Sequence, residues 1–408
     1  MKPLGPIPSG FDAVDGELAV GGVRASELVA RAGGTPLFVY SKAMIEQRVA
    51  KIRSAMPDDL SIHYAVKANP YIPLLESIKG LVDGFDIASG GELELVRKAG
   101  IDLATVSFAG PGKRDWELEA AIASGVTLNL ESEGEAARAL AIAGNLGKRA
   151  RLAIRVNPDF ELRGSGMKMG GGAKPFGIDT ERVPALARKI VASGAEWRGL
   201  HIFAGSQALS SEAIIEAQGN TLDLAAQLAR EIGASLPHLN MGGGFGIPYF
   251  AGDEPLDIGA VGKALSHRFE NIPQEITKTQ FCIELGRYLV GEAGVYLARI
   301  VDRKESHGEL YLVTDGGLHH QLAASGNFGT VVRRNYPVAI ATQFTRSPSV
   351  EASVVGCLCT PLDRLADKAM LPDAQVGDLV AIFCAGAYGA TASPAAFLGQ
   401  GPALELLV

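Results

Sequence analysis

The sequence predicts an α/β chain: a (β/α)8 TIM-like barrel and a C-terminal all-β domain of sandwich or barrel type, joined by the N-terminal segment. Three observations predict it. Strand-like and helix-like runs alternate through eight strands over about 245 residues, the size of one barrel. That interval holds no dinucleotide-binding G-x-G-x-x-G fingerprint after a strand, which sets aside a Rossmann sheet. After residue 290 the long helical periods stop and short β-branched runs take over. At 408 residues the chain suits two domains. The expected boundaries are 1–35 for an N-terminal segment packing with the β domain, 36–288 for the barrel and 289–408 for the β domain.

The elements follow in order. Residues 1–35 are rich in Gly and Pro, with a short helical period near 25–31. Pro36-Leu-Phe-Val-Tyr40 reads as a strand. Ser41 then N-caps a helix whose Met44, Ile45, Val49 and Ile52 recur at helical spacing. Strand-like runs end at Lys67, Ala88, Ala109, Glu131, Asn157, Ala204, Gly242 and Leu285. Helical periods lie between them at 72–78, 92–99, 116–124, 135–143, 183–193, 211–232 and, more polar, 261–270. The β-branched runs of the last third are 294–301, 309–314, 338–342, 350–355, 379–383 and 404–408.

Composition narrows the function. Hydrophobic residues are 47% and charged residues 20%, which allows a large core and argues against disorder. The net charge of −7, without a basic block or basic–aromatic interleaving, argues against nucleic acid as a partner. Residues 1–22 lack a basic start followed by an apolar run, so no signal peptide is expected. No apolar stretch is long enough to span a bilayer, so a cytoplasmic enzyme is expected. Cys282, Cys357, Cys359 and Cys384 are too few for a disulfide scaffold. Cys357-Leu-Cys359 has one intervening residue, not the two or more of zinc pairs, and no metal is expected.

Lys67 is the leading candidate for chemistry. Residues 62–66 of Ser61-Ile-His-Tyr-Ala-Val-Lys-Ala-Asn-Pro70 read as a buried strand, and Asn69-Pro70 breaks it. A lysine closing such a strand, partly desolvated, can be held neutral and nucleophilic, as a Schiff base to an aldehyde cofactor requires. The plainer reading is a lysine that snorkels from the rim. Gly242-Gly-Gly-Phe-Gly246 follows the run 237–241. Consecutive glycines let backbone N–H groups approach an anion, or simply make a tight turn. Ser89 with Glu92 reads as an N-cap and its capping-box partner. Adjacent His319 and His320, if in a strand, point to opposite faces and make poor joint metal ligands.

Tyr64-Ala-Val-Lys-Ala-Asn-Pro70 resembles the lysine motif of the fold-type III pyridoxal 5'-phosphate (PLP) decarboxylases, the group of diaminopimelate, ornithine and arginine decarboxylases. The resemblance covers nearly the whole chain, with the motifs in family order. It implies PLP on Lys67. Phe85-Asp-Ile-Ala-Ser-Gly-Gly-Glu92 implies Asp86 as a cofactor neighbour, and Arg155-Val-Asn-Pro158 implies Arg155 near the ring. Ser206, Gly243 and Gly244 are implied at the cofactor phosphate. Glu284-Leu-Gly-Arg287 resembles Glu-Pro-Gly-Arg, with Glu284 on the pyridine nitrogen and Arg287 on phosphate and substrate. A carboxylate there keeps the ring protonated, and a guanidinium offers phosphate a planar fork. Gly356-Cys-Leu-Cys359-Thr-Pro-Leu-Asp363 is similar to the segment whose cysteine is the acid at the reacting carbon. Alignment on Asp363 places that role at Cys359 and leaves Cys282, Cys357 and Cys384 as small buried apolar residues. Tyr388 of Gly386-Ala-Tyr-Gly389 is implied at phosphate and substrate, and His320 is assigned to substrate. In the family the cysteine reaches across a dimer interface, which implies a C2 homodimer with shared active sites.

Two departures bear on substrate. Phe203 stands where typical members stack a histidine on the ring; a phenyl group stacks but donates no hydrogen bond. Thr360 stands where diaminopimelate decarboxylases place Glu and ornithine decarboxylases Asp, each pairing with a distal ammonium. An unpaired buried ammonium is costly, so Thr360 points away from such substrates. Ser107-Phe-Ala-Gly-Pro-Gly-Lys113, Met167-Lys-Met-Gly-Gly, Gly316-Gly-Leu-His-His320 and Cys359-Thr-Pro resemble a subgroup that decarboxylates aminoacyl groups tethered to a carrier protein, as in the butirosin pathway, or sits in exosortase gene neighbourhoods. The expected reaction is α-decarboxylation of an amino acid, free or carrier-bound. Its rivals are a true diaminopimelate decarboxylase of lysine biosynthesis, an amino-acid racemase, a non-catalytic PLP-binding homologue, and an unrelated barrel with a Schiff-base lysine.

Overall fold

The computed structural model describes residues 1–326 and 334–408, without the side chain of Lys168 in the 167–171 motif. The chain divides into two compact units, Val49–Ile247 with Pro255–Gly286, and Met1–Arg48 with Pro248–Glu254 and Arg287–Val408.

The first unit is a closed barrel of eight parallel strands. They are Leu60–Ala65, Gly84–Ile87, Val106–Phe108, Thr127–Leu130, Arg151–Asn157, Glu196–Ile202, His238–Asn240 and Gln280–Leu285. The eighth strand pairs with the first, Cys282 opposite Ser61, and this closes the ring. Parallel neighbours need a crossover between them, and helices supply it. These are Ile72–Ile78, Gly90–Lys98, Asp115–Ser124, Glu133–Leu146, Val183–Ala192, Ser211–Ile232 and Ile258–Glu270. Their ends follow side-chain chemistry. Ser89, Ser132, Ser210 and Asp257 each accept a backbone N–H at an N-cap, while Gly125, Gly147 and Gly233 close C-termini in the left-handed region. Glu92 completes its cap one residue early, accepting from the Ala88 N–H at 2.6 Å.

In the second unit the strand Gly294–Ser306 is the spine. It pairs antiparallel with Leu37–Tyr40, Leu379–Phe383 and Glu309–Thr314. Leu37–Tyr40, expected to open the barrel domain, is therefore a strand of this sheet. It lies between Gly294–Ser306 and Leu404–Leu407, with all four side chains buried. Phe11, Leu18, Leu28, Val39, Leu297 and Phe383 belong to one core. Three short strands near the N-terminus, Asp12–Val14, Glu17–Val20 and Val23–Arg24, form a meander, and Arg364–Leu371 pairs with Val350–Val355.

Candidate active site

Strand ends gather the barrel's predicted residues. Lys67 sits in a single 3-10 turn, Val66–Ala68, just past the first strand. That turn is tied down by Tyr64, whose hydroxyl donates to the Asn69 carbonyl at 2.8 Å. Lys67 was expected to be partly desolvated. It is exposed, because the turn carries it beyond the strand, and its Nζ lies 5.3 Å from the centre of the Phe203 ring. Gly286 leaves room for this turn: a Cβ there would lie 2.7 Å from the Ala68 Cβ.

Glu284 is buried at the end of the eighth strand. Its Oε2 lies 3.1 Å from His201 Nε2 and accepts from Asn240 Nδ2 at 3.1 Å. Burial alone would raise this carboxyl. The His201 imidazole, then Lys67 and Arg155, outweigh burial and hold it at about 2. Asp86 is also buried. It accepts from the Ser107 hydroxyl and faces His63 Nδ1 at 3.3 Å. Arg155, expected near the cofactor ring, donates to Glu131 at 2.8 Å. That carboxylate also accepts the Gly110 and Gly177 amides, each at 2.7 Å. Lys113, from the 107–113 motif, is a buried structural cation bonded to Glu135 at 2.7 Å and to the Gly110 and Asn129 carbonyls.

The glycine loop and Ser206 form a second cluster. Gly244 has φ +84°, and a Cβ there would strike the Gly205 carbonyl; one on Gly243 would strike the Glu284 carbonyl. Gln207 fastens the loop by a two-way bond with the Ile247 backbone, at 2.6 and 3.2 Å. The Ser206 hydroxyl oxygen is buried and has no partner among the described residues. The amides of Gly243 and Gly244 likewise make no hydrogen bond among the described residues. An orphaned hydroxyl beside free amides is the donor set an oxyanion needs, so these residues fit the phosphate of PLP.

The second unit holds the remaining candidates. Arg287 donates to the Tyr249 hydroxyl at 2.7 Å, and its guanidinium stands 4.7 Å from the centre of the Tyr388 ring. Tyr388 has φ +59°, a strained conformation for a bulky residue. Cys359 is a free, exposed thiol. Cys282 and Cys384 are buried as expected, but Cys357 is exposed, because it lies in the loop beyond the strand Val350–Val355. Thr360 is committed to its turn, its oxygen accepting the Leu362 N–H at 3.3 Å. Asp363 organises this loop by accepting the Leu318 and Leu358 amides at 2.6 and 2.9 Å. His319 and His320 lie in a turn, not a strand, so their rings meet with centres 3.8 Å apart and do not diverge. Both His320 nitrogens are engaged, Nε2 with the Gly401 carbonyl and Nδ1 with the Tyr296 hydroxyl, each at 3.0 Å. The carbonyl takes an N–H, so Nε2 carries the proton and Nδ1 accepts. His319, by contrast, is buried with both ring nitrogens unpartnered among the described residues.

The partners His201, Asn240, Glu131 and His63 were absent from the sequence-level site. His201 alone had a signal there, at an even spacing from Phe203 on one strand.

Comparison with known proteins bears on this geometry. The family profile described as pyridoxal-dependent decarboxylase, pyridoxal binding domain, matches residues 42–291. L-glutamyl-[BtrI acyl-carrier protein] decarboxylase of Niallia circulans is 35% identical over 379 residues, 91% of this chain and 88% of its own. Diaminopimelate decarboxylase of Aquifex aeolicus is 35% identical over 383 residues, 92% of this chain and 87% of its own. The structure of Helicobacter pylori diaminopimelate decarboxylase complexed with L-lysine superposes with a TM-score of 0.83 at 27% identity, covering 94% of each chain.

Proposed function

The chain belongs to the pyridoxal-dependent decarboxylases, enzymes that use PLP to remove the α-carboxylate of an amino acid, and we propose that its substrate is an aminoacyl group tethered to a carrier protein. When bound, PLP supplies the electron sink for the carbanion left by carbon dioxide. Lys67 would hold the cofactor at its aldehyde carbon, the position the substrate amine takes over. Ser206, Gly243 and Gly244 would donate to the phosphate, and Arg287 and Tyr388 are proposed as further phosphate and substrate contacts. Glu284, kept ionised by His201, would keep a proton on the pyridine nitrogen. Cys359 delivers the proton to the α-carbon. Asp86 and Phe203 would line the cofactor, with Arg155, held by Glu131, near the ring.

Thr360 carries the substrate assignment. A side chain without charge, its oxygen turned to the Leu362 N–H, offers no countercharge to a distal ammonium. A thioester-tethered glutamyl group has no such ammonium. This reading also draws on the 35% identity to the N. circulans enzyme. The test is carbon dioxide release from the purified enzyme with an L-glutamyl-carrier conjugate against free meso-diaminopimelate. Turnover of the conjugate with little of the free acid is expected. Efficient release from free diaminopimelate, and none from carrier conjugates, would instead assign the enzyme to lysine biosynthesis. We also propose a homodimer in which Cys359 serves the partner's site.

A further inference from the structure

The barrel interior contains a second polar chamber. A cavity of about 280 Å³ opens among the beginnings of the strands. Ser61, Thr127, His238 and Gln280 line it from the first or second positions of their strands, whereas Lys67 follows the last residue of its own. The cavity therefore lies at the N-terminal mouth, the end opposite the chemistry.

Arg198 is placed there by a bulge. Trp197 opposes Leu152 and Gly199 opposes Ala153, so Arg198 is one residue extra in the sixth strand. His201 faces the barrel interior, toward Glu284. In an unbroken strand, residues three apart point to opposite faces. The bulge lets Arg198 and His201 both turn inward. Gly199 permits it, with φ +99° and no Cβ to strike the His238 carbonyl. Gly84 likewise makes room for the His63 ring; a Cβ there would lie 2.6 Å from its Nε2.

The charge in this chamber is unbalanced. Arg198 donates through Nη1 to Glu196 at 3.0 Å, but its Nε is buried without a partner among the described residues. Burial, then Arg198 and Arg151, push the His238 imidazole down to about 4, which reports a positive field. Burial also opposes a charge on His63, but Cys282 and Asp86 outweigh it and hold that imidazole well above its ordinary value. Cys282 is itself pushed up by burial and stays a thiol, so Asp86 is the effective partner. The nearby acids are engaged. Asp83 accepts from the Ile62 N–H and from Arg53, both at 2.7 Å, and Glu196 is shared between Arg198 and Arg151. Ser61, Thr105 and Thr127 add hydroxyls to the wall.

We propose that this cavity binds a small oxyanion, of the phosphate or carboxylate class, through Arg198 and His63. A guanidinium with a free buried N–H matches such a ligand, and the volume admits one with a few waters. The proposal does not rest on the decarboxylase reading, because no residue assigned to PLP lines the cavity; Asp86 bears on it only as the partner of His63.

Cofactor-loaded protein is titrated calorimetrically with inorganic phosphate and, separately, with succinate, at fixed ionic strength. Loading fills the phosphate cradle, so the heat reports the second site. One saturable site per chain is expected for at least one anion, weakened roughly tenfold or more by Arg198→Gln, as for loss of a hydrogen bond to a charged group. The cofactor's absorbance should be unchanged. Phosphate binding alone would indicate an inorganic ligand, and succinate binding alone a carboxylate metabolite; either supports the site. Wild-type crystals soaked in selenate should show an anomalous peak beside Arg198, a readout that holds even if the variant does not fold. No saturable heat with either anion, equal binding by Arg198→Gln, or a cavity holding only water in crystals soaked with selenate and with succinate would overturn the proposal.

Discussion

Glu284 shows how a single charge is maintained inside a barrel. Burial pushes a carboxyl toward neutrality, yet His201 at 3.1 Å and the cations beyond it hold this one at about 2. A carboxylate depressed below its unfolded value of about 4.3 stabilises the fold above that pH and loses the contribution as pH falls toward its folded value. His201→Gln removes the largest stabilising partner and leaves Asn240 in place. The urea midpoint at pH 6 to 7, where the whole contribution is present, should therefore fall, and the acid-unfolding midpoint, followed by circular dichroism, should rise by about half to one pH unit. An unshifted acid limb would show that His201 does not hold the charge. At this scale the sequence reveals motif residues better than their partners. Lys67 and Glu284 stand in short recognisable strings. His201, Asn240 and Glu131 become partners only when distant strands are laid side by side, and no local pattern marks that.

Gly262 sets local preference against packing. It lies within the helix Ile258–Glu270, where alanine would be favoured by about 1 kcal/mol. A Cβ there, however, would run into the backbone carbonyl of Ala55, which cannot give way as a flexible side chain can. Overpacking of this kind costs about 1–3 kcal/mol, so the clash wins. Gly262→Ala should lower the urea midpoint without changing the slope, and a rise in the midpoint would show that the helices part easily. Element signals were legible where periods were long. Ile72–Ile78, Ser211–Ile232 and Glu309–Thr314 fall where the pattern puts them. Arg364–Leu371 was missed because Lys368, at φ +47°, breaks its alternation. The N-terminal meander was missed although Asp15-Gly16 and Gly21-Gly22, all at positive φ, are hairpin turns in plain view. Leu37–Tyr40 reads as a strand from sequence, but nothing local says which sheet it joins, since its partners lie more than two hundred residues away.

At the scale of the whole molecule, the residues assigned to the reaction are divided between two units of the chain. Lys67, Ser206, the glycine loop and Glu284 belong to the barrel unit, while Arg287, Cys359, Thr360 and Tyr388 belong to the β unit. Such a division allows two arrangements, Cys359 serving its own chain or a partner, and they differ in a measurable way. Lys67→Ala loses the cofactor attachment, and Cys359→Ala loses the proton donor; each alone should fall by about 10³-fold or more in carbon dioxide release. Mixing the two variants under conditions that exchange subunits forms mixed dimers as about half of the population. If sites are shared, each mixed dimer regains one site with both residues intact, and activity returns to about a quarter of the wild-type value. If Cys359 acts within its own chain, every site in the mixture lacks one residue and no activity returns. Recovery should also depend on time and concentration as subunits exchange, which separates it from contamination by wild-type enzyme. A mixture that stays inactive after exchange has been verified by mass-tagged subunits would remove the shared site while leaving the decarboxylase chemistry intact.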